Sequence, residues 1–459
     1  MLKQARRLGS IAHGKYNRIV YAAYSLLLML ALVLSGPWWL WQMLRHGKYR
    51  AGWGERLGHV PNRILDPAAI NTIWIHAVSV GEVLAISQVV AELQKQLPDS
   101  RIVVSTTTDT GQKLARQRFG ENKVFYAPLD LPWAERAYLD ALHPRMLVLA
   151  ESEFWPNLLH SARRAGVAVA VVNARVSDRS LPRYLRCRGL LAHVMKNVHL
   201  FVAQTEEDAR RLVAIGAPAE QVHVGGNLKF EVKPPVRTAI AGLIAAAIQR
   251  DNIGPLIVAG STLEGEEAML LDAFRAARER YAETTLLLAP RHPERFDAVA
   301  ALLAASGIRF HRRSQWKGDA RMVGGVLLLD TIGELASLYE FADLAFIGGS
   351  LVPRGGHNVL EAAYFGVPIL VGPYTENFRD IVETFGHADA LRVTSPDSFT
   401  QTVLALLENY DERERLGRNA KDVMRAQQGA TQRTVAALLD LLPRSAMSRS
   451  PEFATERQV

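Results

Sequence analysis

The chain is poor in the residues that staple or clip a fold. Its one cysteine, Cys187, excludes an intramolecular disulfide and agrees with a cytosolic bulk. The histidines stand apart, His13, His46 and His59 among them, with no Cys/His spacing suited to zinc. "STTTDTG", residues 105–111, holds one acid and no DxD pair for a nucleotide's divalent ion, so no metal site is expected. The absence of a Walker loop and of a GxSxG elbow excludes P-loop hydrolysis and serine-esterase chemistry. From Ile19 to Leu44 there is no charged residue: "IVYAAYSLLLMLALVLSGPWWLWQML". That run is long enough to cross a bilayer, with Trp38, Trp39 and Trp41 as an interfacial belt. No small-residue cleavage signature follows it, which indicates a retained anchor and not a signal peptide. The alternative is a buried or interfacial hairpin broken at Gly36–Pro37. Basic residues flank both ends (Lys3, Arg6, Arg7, Lys15, Arg18; then Arg45, Lys48, Arg50, Arg56), so charge leaves the orientation open. The second cluster, with "RAGWGERLG", reads as a surface for anionic head groups.

What is present is globular: 459 residues, 49% apolar and 22% charged, with a net charge of +8 that suggests an acidic partner. The basic residues are spread out with no aromatic-basic platform, which disfavours nucleic acid. After the anchor, short apolar runs alternate with helical patterns. Strand-like runs are Thr72–Val78, Arg101–Thr107, Lys123–Ala127, Arg145–Ala150, Val167–Asn173, His199–Gln204 and Gln221–Gly225. Pro234–Pro235 then forms a stiff spacer. The alternation restarts at Pro255–Ala259, Thr284–Ala289, Ile308–His311, Gly325–Leu329, Leu344–Ile347, Pro368–Val371 and Ala390–Val393. This pattern predicts an α/β protein with two doubly wound, Rossmann-like domains facing each other across a cleft. The expected division is 1–50 anchor and basic flank, 51–235 first domain, 236–435 second domain and 436–459 tail.

Several strand ends carry chemistry. In "HAVSVGE" a strand breaks at Ser79–Val80–Gly81 and Glu82 opens a helix. A phosphate would be repelled there, so Glu82 either favours the helix N-terminus or takes a proton. The helix N-terminus is expected to keep it ionised, the state a base needs. "ESEFWPNLL" places Glu151 and Glu153 on one side of an extended segment, and Lys229 of "GNLKF" stands just before the spacer. In the second domain, "GGSLVPRGGHNVLEAA" reads as a glycine-rich turn whose amides approach an anion. Arg354 and His357 stand in that turn, Asn358 is a helix cap, and Glu361 can accept from a sugar hydroxyl. "VAGST", Arg291 of "APRHPERF" and Gly333–Glu334 of "DTIGEL" also follow strands, and together they outline a nucleotide-sized site.

At these residues the sequence resembles the 3-deoxy-D-manno-octulosonate (Kdo) transferases of Gram-negative bacteria. The motifs "HAVSVGE", "ESEFWPNL", "GNLKF", "PRHPERF" and "GGSLVPRGGHNVLEAA" occur in that family's order, and the resemblance runs over roughly residues 15–435. It implies a GT-B fold with the nucleotide on the C-terminal domain. It also implies inverting, metal-independent transfer of Kdo from CMP-Kdo to the lipid A precursor, at the cytoplasmic face of the inner membrane and without a cofactor. By the same resemblance Glu82 is the catalytic base, and Glu151 and Lys229 stabilise the transition state, Glu151 being harder to separate from Glu153. Pro290, Arg291, Ile332, Gly333, Glu334, Asn358, Val359, Leu360 and Glu361 match the CMP contacts. Two alternatives stay open: a UDP-sugar transferase or epimerase on the same fold, and a membrane-tethered nucleotide-binding scaffold without catalysis.

Overall fold

The structure is a computed structural model that describes residues 20–38, 41, 45, 52–66, 71–231 and 236–442. The expectations for Lys3, Arg6, Arg7, Lys15, Arg18, Trp39, Lys48, Arg50, Pro234–Pro235 and the tail from Ser445 lie outside the described residues. The chain forms two compact units, one of residues 1–231 and 429–459, the other of 232–428.

In unit 1 the strands are β1 (Thr72–His76), β2 (Arg101–Thr106), β3 (Val124–Tyr126), β4 (Pro144–Ala150), β5 (Ala168–Ala174), β6 (Leu200–Ala203) and β7 (Val222–Val224). They form one parallel sheet in the order β3-β2-β1-β4-β5-β6-β7. Alternate residues feed two apolar layers. Trp74, Val103, Leu147, Val169 and Val171 face one side; Ile73, Ile75, Val104, Met146, Val148 and Ala170 face the other. Both faces are therefore covered, which is why these runs read as continuously apolar. Helix Val80–Gln96 lies on the second layer and helix Pro156–Arg164 on the first. The connections after β1 and β4, adjacent strands, thus leave to opposite faces and open a crevice at their C-terminal ends.

Unit 2 contains β8 (Leu256–Thr262), β9 (Thr285–Pro290), β10 (Phe310–Arg312), β11 (Val326–Leu328), β12 (Leu344–Ile347), β13 (Ile369–Val371) and β14 (Arg392–Val393). Its parallel order is β10-β11-β9-β8-β12-β13-β14. The chain departs from β8 to β9 on one side and reaches β12 on the other, so the switch point lies between β8 and β12.

The C-terminal end departs from the expected division. Two helices close the described chain, Tyr410–Gln427 and Ala430–Leu441, parted at Gly429 with φ 80°. The second returns to unit 1, where Ala430, Val435 and Leu438 join the apolar layer under helix Val80–Gln96. These buried residues place it with the first sheet and not with a second domain or tail. Arg56 also differs from its reading as a head-group contact. It is buried, its Nη2 donates to the Thr107 carbonyl at 2.6 Å, and its guanidinium lies 4.6 Å from the Tyr126 ring.

The run Val20–Trp38 is a single helix of mean hydropathy 1.8, long and apolar enough to cross a membrane by length and composition. Gly36 and Pro37 both lie within it, so no hairpin breaks there.

Candidate active site

The "SVGE" turn caps a helix. Ser79 is the N-cap of Val80–Gln96, its Oγ accepts from the Glu82 amide, and Glu82 stands three residues on. The Glu82 carboxylate accepts from the Val78 amide at 2.7 Å and from the Ser79 hydroxyl at 2.9 Å. The helix-start role that the sequence offered as one alternative is therefore realised in the geometry. The expected ionisation is not. Burial pushes the carboxyl up to about 7, Glu151 and Glu153 add to the rise, and the two hydrogen bonds offset only part of it. The helix end is outweighed because the group is only 7% exposed and shares the crevice with two further carboxylates.

Glu151 follows β4 directly with φ 57°, a left-handed conformation rare for glutamate, and its amide donates to the Val172 carbonyl at 2.8 Å. That backbone turns its side chain to Lys229, whose Nζ lies 2.7 Å from Oε1. Lys229 and Glu151, which the resemblance joins in one role, are thus brought together. The "GNLKF" turn is fixed by Asn173, fully buried with φ 55°, whose Oδ1 accepts from the Leu228 amide at 2.9 Å. Asn173 stands one residue before the end of β5, in "VVNA", a stretch with no local sign of such a role. Glu153 is also pushed up, by burial and then by Glu151. Glu82, Glu151, Glu153 and Lys229 are thus one electrostatic group, three carboxylates and one ammonium, at the β1/β4 crevice.

This coupling gives a test. Lys229→Met leaves the Glu151 charge uncompensated beside Glu82, so the acid limb of the pH–rate profile should move to higher pH by about 0.5–1 unit. Glu151→Gln should move it the other way. An unmoved limb in both variants would separate Glu82 from the pair.

In unit 2 the ends of four neighbouring strands, β11, β9, β8 and β12, carry the predicted nucleotide residues on one sheet edge. Pro290 closes β9 and Arg291 follows it, exposed. Arg291 acts electrostatically on both His357 and Glu361, so these three converge. Ile332 is 73% exposed, Gly333 has φ 87°, and Glu334 pairs with Arg313 at 2.9 Å. Asn358 Oδ1 accepts from the Leu360 amide at 3.1 Å, capping the turn one residue before helix Leu360–Phe365, with Val359 and Leu360 buried. Glu361 is raised by burial and held down in part by Arg291.

The glycine-rich turn does not offer the amides expected of it. The amides of Gly349, Ser350 and Leu351 donate to Glu266 at 2.7, 3.0 and 2.9 Å. Leu263 N–H makes a fourth bond to the same carboxylate at 2.9 Å, and Glu266 is fully buried. An internal carboxylate therefore fills the nest, while Arg291 stands exposed on the same sheet edge. The hydroxyl of Thr262 in "VAGST" is likewise spent on Glu267, which also forms a two-pronged pair with Arg295 at 2.6 and 3.1 Å. His357 is held down to about 4 by burial and by Arg291 and His292, so at neutral pH it is an uncharged imidazole.

Comparison with known proteins agrees with this layout. The pattern of the family described as 3-Deoxy-D-manno-octulosonic-acid transferase (kdotransferase) matches residues 51–232, and that of Glycosyl transferases group 1 matches 262–423. The 3-deoxy-D-manno-octulosonic acid transferase of Haemophilus influenzae is 36% identical over 86% of this chain and 91% of its own. The Bordetella pertussis protein of the same name is 37% identical over 88% of this chain and 95% of its own. For the fold, the crystal structure of Acinetobacter baumannii MurG superposes with a TM-score of 0.51 at 15% identity, covering 81% of this chain and 99% of that one. Two parallel-sheet α/β units of this kind make up the GT-B architecture. On its sequence, its two units and its site motifs, the chain is a glycosyltransferase that belongs to the 3-deoxy-D-manno-octulosonic acid (Kdo) transferase family.

Proposed function

We propose that this enzyme transfers Kdo from CMP-Kdo to a hydroxyl of the lipid A precursor, with inversion at the anomeric carbon and without a metal ion. Glu82 is the general base. The observation that carries this reading is the Glu82 carboxylate, poised near neutrality at the β1/β4 crevice and anchored by two hydrogen bonds. A base works best when its pKa lies near the working pH. The acceptor hydroxyl gives its proton to Glu82 while its oxygen bonds to the anomeric carbon. The bond from that carbon to the phosphate oxygen breaks, and CMP leaves with the electron pair. The transition state has oxocarbenium character, and attack from the face opposite CMP inverts the centre.

The residues suit the parts of this reaction. Arg291, exposed at the end of β9, meets the charge that grows on CMP. Asn358 and Glu361 offer an amide and a carboxylate to the nucleoside. Lys229 and Glu151 act near Glu82, with the ammonium available to the anionic sugar. Because the acceptor is an acylated lipid, the apolar helix Val20–Trp38 has a use: it holds the enzyme on the inner membrane with both units on the cytoplasmic face.

The test is transfer from CMP-Kdo to a tetraacylated lipid A precursor, with and without EDTA, and with CMP or UDP as competitor. EDTA should leave the rate unchanged, and CMP should inhibit about tenfold or more better than UDP, a difference set by hydrogen bonds to the base. Equal competition by UDP would turn the reading to a UDP-sugar enzyme. Loss of activity with EDTA would remove the metal-independent mechanism.

A further inference from the structure

We infer that Glu267 is a positioning residue for nucleotide binding: through Thr262 and Arg295 it holds the turn that presents Arg291 to the phosphate of CMP. The inference rests on the role proposed for Arg291 above. Arg291 and its successors His292, Pro293 and Glu294 are all exposed. The Arg291 guanidinium makes no hydrogen bond or ion pair among the described residues. Left to itself, such a turn would become ordered only when the ligand arrives, and that ordering would weaken binding.

The turn is fastened at both ends. At its start the Arg291 amide donates to the Thr262 carbonyl at 3.0 Å. At its end Arg295 donates from Nη1 and Nη2 to the two oxygens of Glu267, at 2.6 and 3.1 Å. Glu267 is 1% exposed, and its Oε1 also accepts from the Thr262 hydroxyl at 2.9 Å. Both ends therefore meet on one carboxylate, directly through Arg295 and by way of Thr262. Thr262 is fully buried, and an irregularity of β8 sets its direction. The register of β8 against β9 shifts between Gly260 and Thr262, where Ser261 has φ 57°. Bulges re-aim a side chain and gather beside ligand sites, and a left-handed serine persists only where its surroundings hold it.

Stability alone does not account for the charge pair. A buried arginine–carboxylate pair adds little over an apolar pair of the same volume, because both ions lose their water. What it supplies is direction. Two parallel bonds fix the plane of the guanidinium, which an apolar contact would leave free. The place in the sheet agrees with this. Helix Glu266–Arg280 follows β8, which has β9 on one side and β12 on the other. Consecutive side chains diverge by about 100° around a helix. Glu266 accordingly reaches the β12 turn, and Glu267 reaches the β9 turn. Two adjacent carboxylates thus hold the two turns that carry the nucleotide residues.

The test compares CMP with cytidine, which lacks the phosphate, in titrations of the full-length protein in detergent. Glu267→Gln should weaken CMP about five- to twentyfold, part of the worth of a charge-assisted hydrogen bond, and leave cytidine within about twofold. Glu267→Met combined with Arg295→Met removes both charges and strands neither. It should show the same phosphate-selective loss in a protein that still melts cooperatively. In an Arg291→Ala background Glu267→Gln should add nothing, because it acts through that arginine. Equal loss of CMP and cytidine, no loss of either, or losses that add in the double variant would overturn the role of Glu267 while Arg291→Ala still weakens CMP alone. An Arg291→Ala protein that binds CMP as the wild type does would overturn the phosphate role of Arg291, and this inference with it.

Discussion

Glu82→Gln should lower transfer by about 10²–10⁴-fold, the usual worth of a positioned base, while CMP binding is unchanged. Glutamine keeps the shape and can still accept from the Val78 amide, so the loss reports proton transfer and not a broken turn. In the wild type, kcat/KM should rise with pH up to about 7 and then level, because the base works only when deprotonated. A variant with full activity would return Glu82 to the helix-capping role alone and move the base to Glu151 or Glu153.

The same substitution should stabilise the protein, in one pH range only. The folded-state pKa of Glu82 lies near 7 against 4.5 for the free carboxyl. Between those values the unfolded chain has released a proton that the folded chain retains. The contribution of Glu82 to stability is therefore full below about pH 4.5 and lost as pH rises through 7. Holding it ionised in the fold costs on the order of 3 kcal/mol above pH 7, from about 1.4 kcal/mol per pKa unit. Glutamine removes that cost, so melting at pH 8 should rise by about 5–10 °C in a domain of this size, with little change at pH 5. Equal shifts at both pH values would mean that burial of charge is not the cause.

How far the sequence could foresee this differs between the two units. The strand segments were visible as short apolar runs, because the inner strands of each sheet are covered on both faces and need no polar alternation. The place of Glu82 at a helix start was also legible, from a turn written in four residues, "SVGE". The charge state of Glu82 was not legible. It depends on Glu151 and Glu153, brought in by β4 lying next to β1, and on the cover that removes water. Arg56 was misjudged for a related reason: an isolated basic residue looks free until a distant carbonyl is seen beside it. The last helix was divided between the second domain and the tail because sequence adjacency says nothing of which sheet its apolar stripe will cover.

The largest structural effect should come from Glu266→Ala. The glycines of "IGGS" signalled a place where amides meet an anion, and that was physically sound; the sequence could not say that the anion is the protein's own. Glu266 reaches Gly349 across 83 residues because β8 and β12 are neighbours. Alanine would leave the amides of Leu263, Gly349, Ser350 and Leu351 without their acceptor in a dry interior. At about 1–3 kcal/mol for each buried unsatisfied donor, with part recovered by relaxation or entering water, a loss of at least about 4 kcal/mol is expected. Glu266→Gln should lose less, since its carbonyl oxygen can still accept two of the four. Urea unfolding gives the stability, and CMP titration at low temperature shows whether the loop still presents Asn358 and Glu361. Weaker CMP binding with lower stability would make Glu266 the brace of the β12 turn. Tighter CMP binding in the alanine variant would mean the opposite: the amides serve a phosphate once the carboxylate is gone, and Glu266 competes with the ligand for the nest.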